Sequence, residues 1–193
     1  MQIENSVEYR QPLPGDFAIW VFIFAELTVF GVLFAAYAFA RSAHLDLFNA
    51  SQQTLNRTFG FANTLLLLTS GYFVARATQA IKAGRSASCG NWLAGALALG
   101  GVFLVLKAME FQQDFSRGIN LSTNLFYMFY LSLTFFHFMH VIMGMTILAV
   151  VACKAYAGSY SAENHAGVET GGSYWHMVDL VWIILFALVY VIH

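Results

Sequence analysis

Three histidines and an aspartate lie in two otherwise apolar stretches of the C-terminal half of the chain. His137 and His140 are three residues apart, as are His176 and Asp179, so each pair shares one face of a helix. Neutral imidazoles bind Zn, Cu and Fe, and a neighbouring carboxylate can orient a ring. The four side chains predict either a metal or haem site or a hydrogen-bonded polar cluster that ties two helices together. The polar cluster is favoured, because no Cys ligand and no further His pair accompany them.

Glu26 is the only charged residue between positions 17 and 40. It follows Asp16 by ten residues, or about 15 Å along a helix, which places it near the middle of a bilayer. A carboxylate charge is costly at that depth, so such a residue needs a partner, a neutral form or a function. Glu26 is therefore either a proton-related group or the donor of a packing hydrogen bond.

Lys107 and Glu110 are three residues apart near the end of another apolar stretch. Side chains at this spacing are neighbours on a helix, so an internal ion pair is the preferred interpretation. If the pair instead faces lipid, Lys107 could bind a phosphate of a lipid headgroup. The ion pair is a structural role, and binding of a lipid headgroup is the functional alternative.

The composition explains why these few polar residues stand out. Of 193 residues, 59% are hydrophobic and only 10% are charged, too few to cover a water-facing globule, so we exclude a soluble enzyme acting on a soluble substrate. A net charge of −1 also excludes nucleic acid as a partner. Cys89 and Cys153 have no further Cys or paired His beside them, which predicts neither a disulfide framework nor a zinc site.

Apolar windows long enough to cross a bilayer predict the elements that position these residues. A helix needs about 20 mostly apolar residues to span a hydrocarbon core of about 30 Å. The chain is predicted to be all-α, a single polytopic membrane domain over 1–193. Its five transmembrane helices are expected at about 17–40, 58–75, 91–110, 124–156 and 172–193.

The distribution of Lys and Arg outside these spans predicts the orientation. Five fall on the side of the N-terminus and three on the opposite side, which places the N-terminus in the cytoplasm and the C-terminus in the periplasm. The segment 1–15 has two Glu residues and no apolar core, so we expect no cleavable secretion signal there.

Aromatic residues are frequent at positions 126–138. We interpret them mainly as a lipid-facing or packing surface, with a quinone-binding site as the alternative.

Several of these segments resemble subunit III of the haem-copper oxidases, the accessory membrane subunit of cytochrome c and quinol oxidases. The segment 174–182, YWHMVDLVW, resembles the family's YWHFVDVVW, and 134–141, TFFHFMHV, followed by Gly144 resembles TGFHGLHV…G. ANTL at 62–65 with SG at 70–71 resembles LNT…SG. Glu26 stands at the position of the carbodiimide-reactive intramembrane glutamate, and Glu110 resembles the family's acid that precedes an aromatic residue.

The chain departs from the family pattern in two ways. Phe135 and Phe138 stand where the family usually has Gly, so we expect them to push apart whatever packs there. The sequence also starts at the equivalent of the third helix of the seven-helix form. It therefore resembles the short five-helix form found in bacterial quinol oxidases and in the subunit-III-like proteins associated with nitric oxide reductase.

The resemblance implies an accessory, non-catalytic subunit of a respiratory haem-copper oxidase or nitric oxide reductase complex in the bacterial inner membrane. Such a subunit binds no haem or metal itself. It packs on the catalytic subunit I, which holds haem and copper or iron, binds structural phospholipids, and supports proton uptake and complex stability. Glu26 would then be a buried acid, Glu110 a lipid-site neighbour, and His137, His140, His176 and Asp179 a helix-tying cluster.

The alternative is a stand-alone membrane haem or metal protein that uses His137, His140 and His176. A proton-coupled transporter built around Glu26 is less favoured, because the two halves of the sequence have no inverted repeat.

Overall fold

The computed structural model describes residues 17–192; the predictions made for 1–15 therefore lie outside the described residues. Every regular element within that range is helical. The elements are α1 (Phe17–Ala43), α2 (Leu45–Gln52), α3 (Arg57–Lys82), α4 (Ser86–Ser116), α5 (Leu125–Tyr156), α6 (Ala166–Phe186) and a π-helical turn, Ala187–Val191.

Five of these helices are long and apolar enough to cross a membrane: α1, α3, α4, α5, and α6 together with the π-helical turn. This confirms the predicted all-helical architecture with five membrane helices. Several helices run past the predicted apolar windows, because helical hydrogen bonding continues through polar ends after the apolar run has finished. Thus α4 extends to Ser116 and α6 begins at Ala166. The short helix α2 lies in the polar connection between α1 and α3.

Helices α3, α4, α5 and α6 form the packed core of the molecule, with α3 against α4, α4 against α5, and α6 against both α3 and α5. Helix α1 lies at the periphery and makes smaller contacts with α5 and α6. Accordingly, α6 is the most buried membrane helix and α1 the most exposed.

Trp175 of α6 is fully buried in this core, where its indole ring packs between α4 and α5. Two glycines on neighbouring helices leave room for its indole. A Cβ added at Gly144 of α5 would lie 2.9 Å from Trp175 Cε3, and one at Gly100 of α4 would lie 3.0 Å from Trp175 Cη2. Small residues at helix contacts let the backbones approach closely in lipid, where packing drives association.

Local signals set the helix ends. The Asn56 side chain accepts hydrogen bonds from backbone N–H groups at the start of α3, and Asn124 accepts one from Tyr127 N at 2.9 Å at the start of α5. Gly118 and Gly158 follow α4 and α5 with φ of +78° and +69°, a conformation that glycine adopts without strain.

Side chains from the C-terminal end of α1 and from α2 hold the C-terminal turn in place. Gln52 Nε2 donates to Val189 O at 2.8 Å, and Arg41 Nη1 donates to Ile192 O. These carbonyls lie in the last helical turn of the described chain, where backbone carbonyls run out of partners within a helix, and the two side chains donate hydrogen bonds to them.

Candidate functional site

Glu26 of α1 and His140 of α5 form a polar pair between two membrane helices. His140 Nε2 lies 2.9 Å from Glu26 Oε2. The other ring nitrogen, Nδ1, lies 2.7 Å from the carbonyl oxygen of Phe136, four residues earlier on the same helix. A carbonyl oxygen can only accept, so Nδ1 carries a hydrogen and donates it.

This geometry assigns one shared proton to the pair. With Nδ1 protonated, a neutral His140 has only an acceptor at Nε2, and an ionised Glu26 also has only acceptors. The contact is a hydrogen bond only if a proton lies between Oε2 and Nε2, held either by the carboxyl or by the imidazole. In both forms the pair has no net charge, which suits a membrane interior.

The surroundings of the pair are mostly aromatic. Phe30 and Phe136 each pack edge-on against the His140 ring, with centroids 5.2 and 4.7 Å away. The Glu26 side chain keeps 19% of its surface exposed and the His140 side chain 9%. The carboxyl of Glu26 therefore retains access to the surface of this chain.

A second polar site is buried inside the bundle near the α4–α5 connection. Lys107 Nζ donates to Glu110 Oε2 at 3.0 Å, to Tyr190 Oη at 3.1 Å and to Tyr130 Oη at 3.3 Å. The Tyr130 and Tyr190 hydroxyls each lie 2.8 Å from Glu110 Oε1, to which they can donate. Asp114 Oδ2 lies 3.4 Å from Tyr130 Oη. We call these five residues the lysine cluster.

The ammonium group of the lysine cluster lies in an aromatic cage. Four rings have centroids 5.0 to 5.7 Å from Lys107 Nζ: Phe111, Tyr130, Trp182 and Tyr190. Cations at such distances are attracted to the ring faces, and more strongly when they are desolvated. Lys107 has no exposed surface, so the lipid-facing alternative does not match its position.

His137 is fully buried and, within the described residues, makes no side-chain hydrogen bond to the other predicted members of the histidine cluster. Its ring lies between Phe103 and Trp182, at centroid distances of 6.0 and 5.2 Å. Neither ring nitrogen has a hydrogen-bond partner within the described part of the chain. His137 therefore fills an aromatic space rather than a polar cluster.

His176 and Asp179 lie on the side of α6 that faces α3. His176 Nδ1 is 3.9 Å from Asp179 Oδ2, and the His176 side chain is 49% exposed. Asp179 is buried against Gly71, where any Cβ would overlap its carboxylate.

The sequence predicts that the His137–His140 pair can meet the His176–Asp179 pair, but the structure does not join the two pairs by any hydrogen bond among the described residues. His140 binds Glu26, His137 packs among aromatic rings, and His176 stays with Asp179. The sequence placed both pairs at similar depth, but depth does not fix the direction in which a helix face points. Among residues 17–192, no group of three or more His, Cys, Asp or Glu side chains is arranged to hold a metal ion.

Sequence reasoning missed three members of the lysine cluster. Asp114 lies seven residues after Lys107, on the same helix face, and this spacing was a usable signal. Tyr130 and Tyr190 come from two other helices, and nothing in the spacing connects them to Lys107.

Phe135 and Phe138, which we expect to push apart whatever packs against them, both contact α4 of the same chain. Phe111 of α4 lies between them, with ring centroids 6.4 Å from Phe135 and 5.9 Å from Phe138. Both side chains lie toward the outer surface of the helix pair, so their bulk adds to that surface without opening the core.

Comparison with known proteins agrees with the segments described above. The family model for cytochrome c oxidase subunit III matches residues 14–193. The chain is 34% identical to cytochrome c oxidase subunit 3 of Synechocystis sp., over 91% of this chain and 75% of that protein. It is 34% identical to the subunit 3 of Thermostichus vulcanus, over 89% and 84% of the two chains. A probable cytochrome c oxidase subunit 3 of Rickettsia felis is 33% identical, over 97% and 73%.

Five membrane helices, together with these matches, define a multi-pass subunit of a respiratory terminal oxidase. The chain belongs to the cytochrome c oxidase subunit III family. Its role is that of an accessory subunit of a haem-copper oxidase, without a catalytic centre of its own. The alternative of a stand-alone haem or metal protein is not supported.

Proposed function

We propose that this chain packs on the catalytic subunit I of a cytochrome c oxidase in a bacterial inner membrane, with haem and copper held by that partner. The relatives are cytochrome c oxidase subunits 3 from cyanobacterial and rickettsial sources, which supports this assignment. The N-terminus is cytoplasmic and the C-terminus periplasmic in this proposal, supported by the excess of Lys and Arg on the N-terminal side.

The Glu26–His140 pair is the group through which the subunit supports proton uptake. The single observation that carries this proposal is the contact of 2.9 Å between two atoms that can bond only through a shared proton. The pair holds that proton without a net charge and carries a charge of −1 between releasing it and taking up the next one, and Glu26 retains partial surface exposure through which protons can exchange. His140 also ties α5 to the peripheral helix α1.

The lysine cluster has a structural role in this proposal. Its contacts join α4 and α5 to the C-terminal turn, and they satisfy a buried ammonium group from all sides. Structural phospholipids bind elsewhere on the surface, since Lys107 is enclosed.

Substitution of Glu26 by Gln tests the proton role. Gln can donate an amide hydrogen to His140 Nε2 and so keep the contact, but it cannot release a proton at that position. We expect the Glu26→Gln complex to assemble normally, with a several-fold loss of proton uptake during steady turnover. The measurement is pH-indicator kinetics on the purified complex reconstituted in vesicles. If turnover and proton uptake equal those of the wild type, the Glu26–His140 pair is only a packing hydrogen bond.

Co-purification tests the assignment to an oxidase complex. We expect a tagged chain to carry the haem-copper subunit with it, identified by mass spectrometry and by the haem absorption spectrum. Haem or copper bound in stoichiometric amount to the chain without its partner would contradict the proposal. Reduction of nitric oxide rather than oxygen by the purified complex would instead assign it to the nitric oxide reductase type.

A further inference from the structure

An open groove between α3 and α6 contains the two polar residues His176 and Asp179. Its volume is about 350 Å³. We call it the α3–α6 groove, and its other lining residues are apolar or aromatic: Leu68, Gly71, Tyr72, Ala75, Leu180 and Ile183. Four of these side chains are 40 to 54% exposed. No part of the described chain, 17–192, therefore covers the groove.

The polar part of the groove lies near the middle of the membrane. The last membrane helix, Ala166–Val191, has 26 residues. His176 follows Ala166 by ten residues and so lies about 15 Å from that end of the helix at about 1.5 Å per residue. Half of a hydrocarbon core of about 30 Å is also about 15 Å. At this depth water is absent, and polar side chains need partners within protein.

Gly71 of α3 allows the two polar side chains to lie against the helix backbone. A Cβ added at Gly71 would overlap the carboxylate of Asp179 and would lie 3.6 Å from His176 Nδ1. Nδ1 faces Asp179 Oδ2 at 3.9 Å. A facing carboxylate favours hydrogen on Nδ1, so in the neutral ring Nε2 is a hydrogen-bond acceptor on the opposite side.

This pair has hydrogen-bonding capacity that the described residues leave unused. Asp179 is only 6% exposed, yet its Oδ1 has no hydrogen-bond partner in the described part of the chain. The distance of 3.9 Å between His176 and Asp179 exceeds that of a hydrogen bond. The His176 side chain is 49% exposed, and within 17–192 nothing bonds to its Nε2. The imidazole is therefore directed to a partner outside this chain.

The depth of His176 decides which kind of partner fits. Acyl chains have no hydrogen-bonding group, and a lipid headgroup lies about 15 Å away at the membrane surface. A membrane helix can carry a donor side chain at any depth. Gly71 and Ala75 are four residues apart on one face of α3, and small residues at this spacing let a second backbone approach closely.

We propose that the α3–α6 groove receives a membrane helix from another subunit of the oxidase complex. That helix packs over Gly71 and Ala75 and donates a hydrogen bond to His176 Nε2 from a hydroxyl, amide or indole side chain in the middle of the membrane. The inference rests on the proposed function, because it requires an assembled complex, and it assigns one packing face and one polar contact to that assembly.

A crosslink identifies the occupant of the groove. Benzoylphenylalanine replaces Leu180, an exposed wall residue, and the purified complex is illuminated. We expect adducts with a peptide from a membrane-spanning segment of another subunit, identified by mass spectrometry. Adducts with lipid, with a quinone, with a second copy of this chain or with this chain itself would overturn the proposal.

Substitutions test the polar contact and the close approach separately. His176→Leu keeps the bulk but removes the acceptor, and we expect the crosslinked subunit to dissociate several-fold faster in excess detergent. His176→Gln keeps an acceptor and should dissociate at nearly the wild-type rate. Dissociation of His176→Leu at the wild-type rate, or of His176→Gln as fast as His176→Leu, would overturn the hydrogen bond.

Ala75→Phe fills the groove and should also accelerate dissociation several-fold. Thr69→Phe is the matched control, because Thr69 is a small exposed residue of the same helix that does not line the groove. Equal rates for Ala75→Phe and Thr69→Phe would overturn the packing face. A wild-type preparation without the haem-copper subunit would instead contradict the proposed function, and the crosslink in intact membranes would then still decide the occupant of the groove.

Discussion

Lys107 illustrates how a charged side chain is tolerated inside this membrane protein. Removing an ammonium group from water is costly, and the protein interior compensates only with good geometry and further hydrogen bonds. Lys107 has one carboxylate at 3.0 Å, two phenol oxygens within 3.3 Å and four aromatic rings around it. Each carboxylate oxygen of Glu110 is in turn paired. The cluster is therefore satisfied as a unit and depends on every member.

Lys107→Ala should destabilise the subunit strongly, since it leaves the buried carboxyl groups without their cation. Breaking a buried pair costs about 3 to 5 kcal/mol of unfolding free energy. For a chain of this size we expect a fall in the unfolding midpoint of roughly 6 to 20 °C. The reporter is the buried thiol of Cys89, whose reaction with a fluorescent reagent on heating follows opening of the core. The exposed Cys153 is first replaced by Ser.

Lys154→Ala is the matched control for this measurement. Lys154 is exposed near the end of α5, and surface substitutions of this kind change stability by no more than about 0.5 kcal/mol. If Lys107→Ala and Lys154→Ala unfold at the same temperature, the lysine cluster contributes nothing to stability.

At the scale of the helices, the α4–α5–α6 interface depends on glycines that admit Trp175. Dispersion contacts supply most of the attraction between helices in lipid, so the close fit of an indole against two backbones is directly stabilising. Glycine positions in these helices differ in the space that they leave for an added Cβ atom. The space at Gly144 is bounded by the rigid rings of Trp175 and Tyr174, whereas Gly101 has only the flexible end of Met145 at 3.9 Å.

Gly144→Ala should push α6 away from α5. A new Cβ would lie 2.9 Å from Trp175 Cε3 and 3.1 Å from Tyr174 Cε1, closer than carbon atoms pack. Overpacking of this kind costs about 1 to 3 kcal/mol. Gly101→Ala, whose Cβ meets an ordinary contact, should be neutral or stabilising by up to about 1 kcal/mol through helix propensity. Tryptophan fluorescence during denaturation measures both variants. Equal stability of the two would mean that Trp175 moves aside freely.

At the scale of the whole molecule, the charges on the connections between helices give the bundle a proposed orientation in the membrane. The α4–α5 connection and the α5–α6 connection lie at opposite ends of α5. In the proposed topology, which follows the positive-inside rule, the α5–α6 connection next to Lys154 lies in the cytoplasm.

Paired cysteine labelling tests this orientation. Ser122→Cys and Ser159→Cys are introduced separately into a chain with Cys153 replaced by Ser; both serines are exposed and Cys89 is buried. We expect a membrane-impermeant maleimide to label Ser122→Cys in intact spheroplasts and Ser159→Cys only after the membrane is opened. Labelling with the opposite preference would reverse the proposed topology.

The amino-acid sequence alone determined the number and class of the membrane helices, because apolar length is set by bilayer thickness and is readable without any long-range contact. It also determined the family, through segments such as 174–182, and the Lys107–Glu110 neighbourhood, which depends only on helical spacing. These features are local, and local features are encoded by consecutive residues.

Only the tertiary structure decided which helix faces meet. Spacing gave His137 and His140 a common face, but the rotation of α5 against its neighbours directed His140 to Glu26 and His137 to an aromatic space. In the same way Tyr130 and Tyr190 joined Lys107 from other helices, and Phe135 and Phe138 packed against Phe111 of α4. Helix rotation is set by the packing of many side chains at once, such as Trp175 between Gly100 and Gly144, and no single segment of the sequence contains that information.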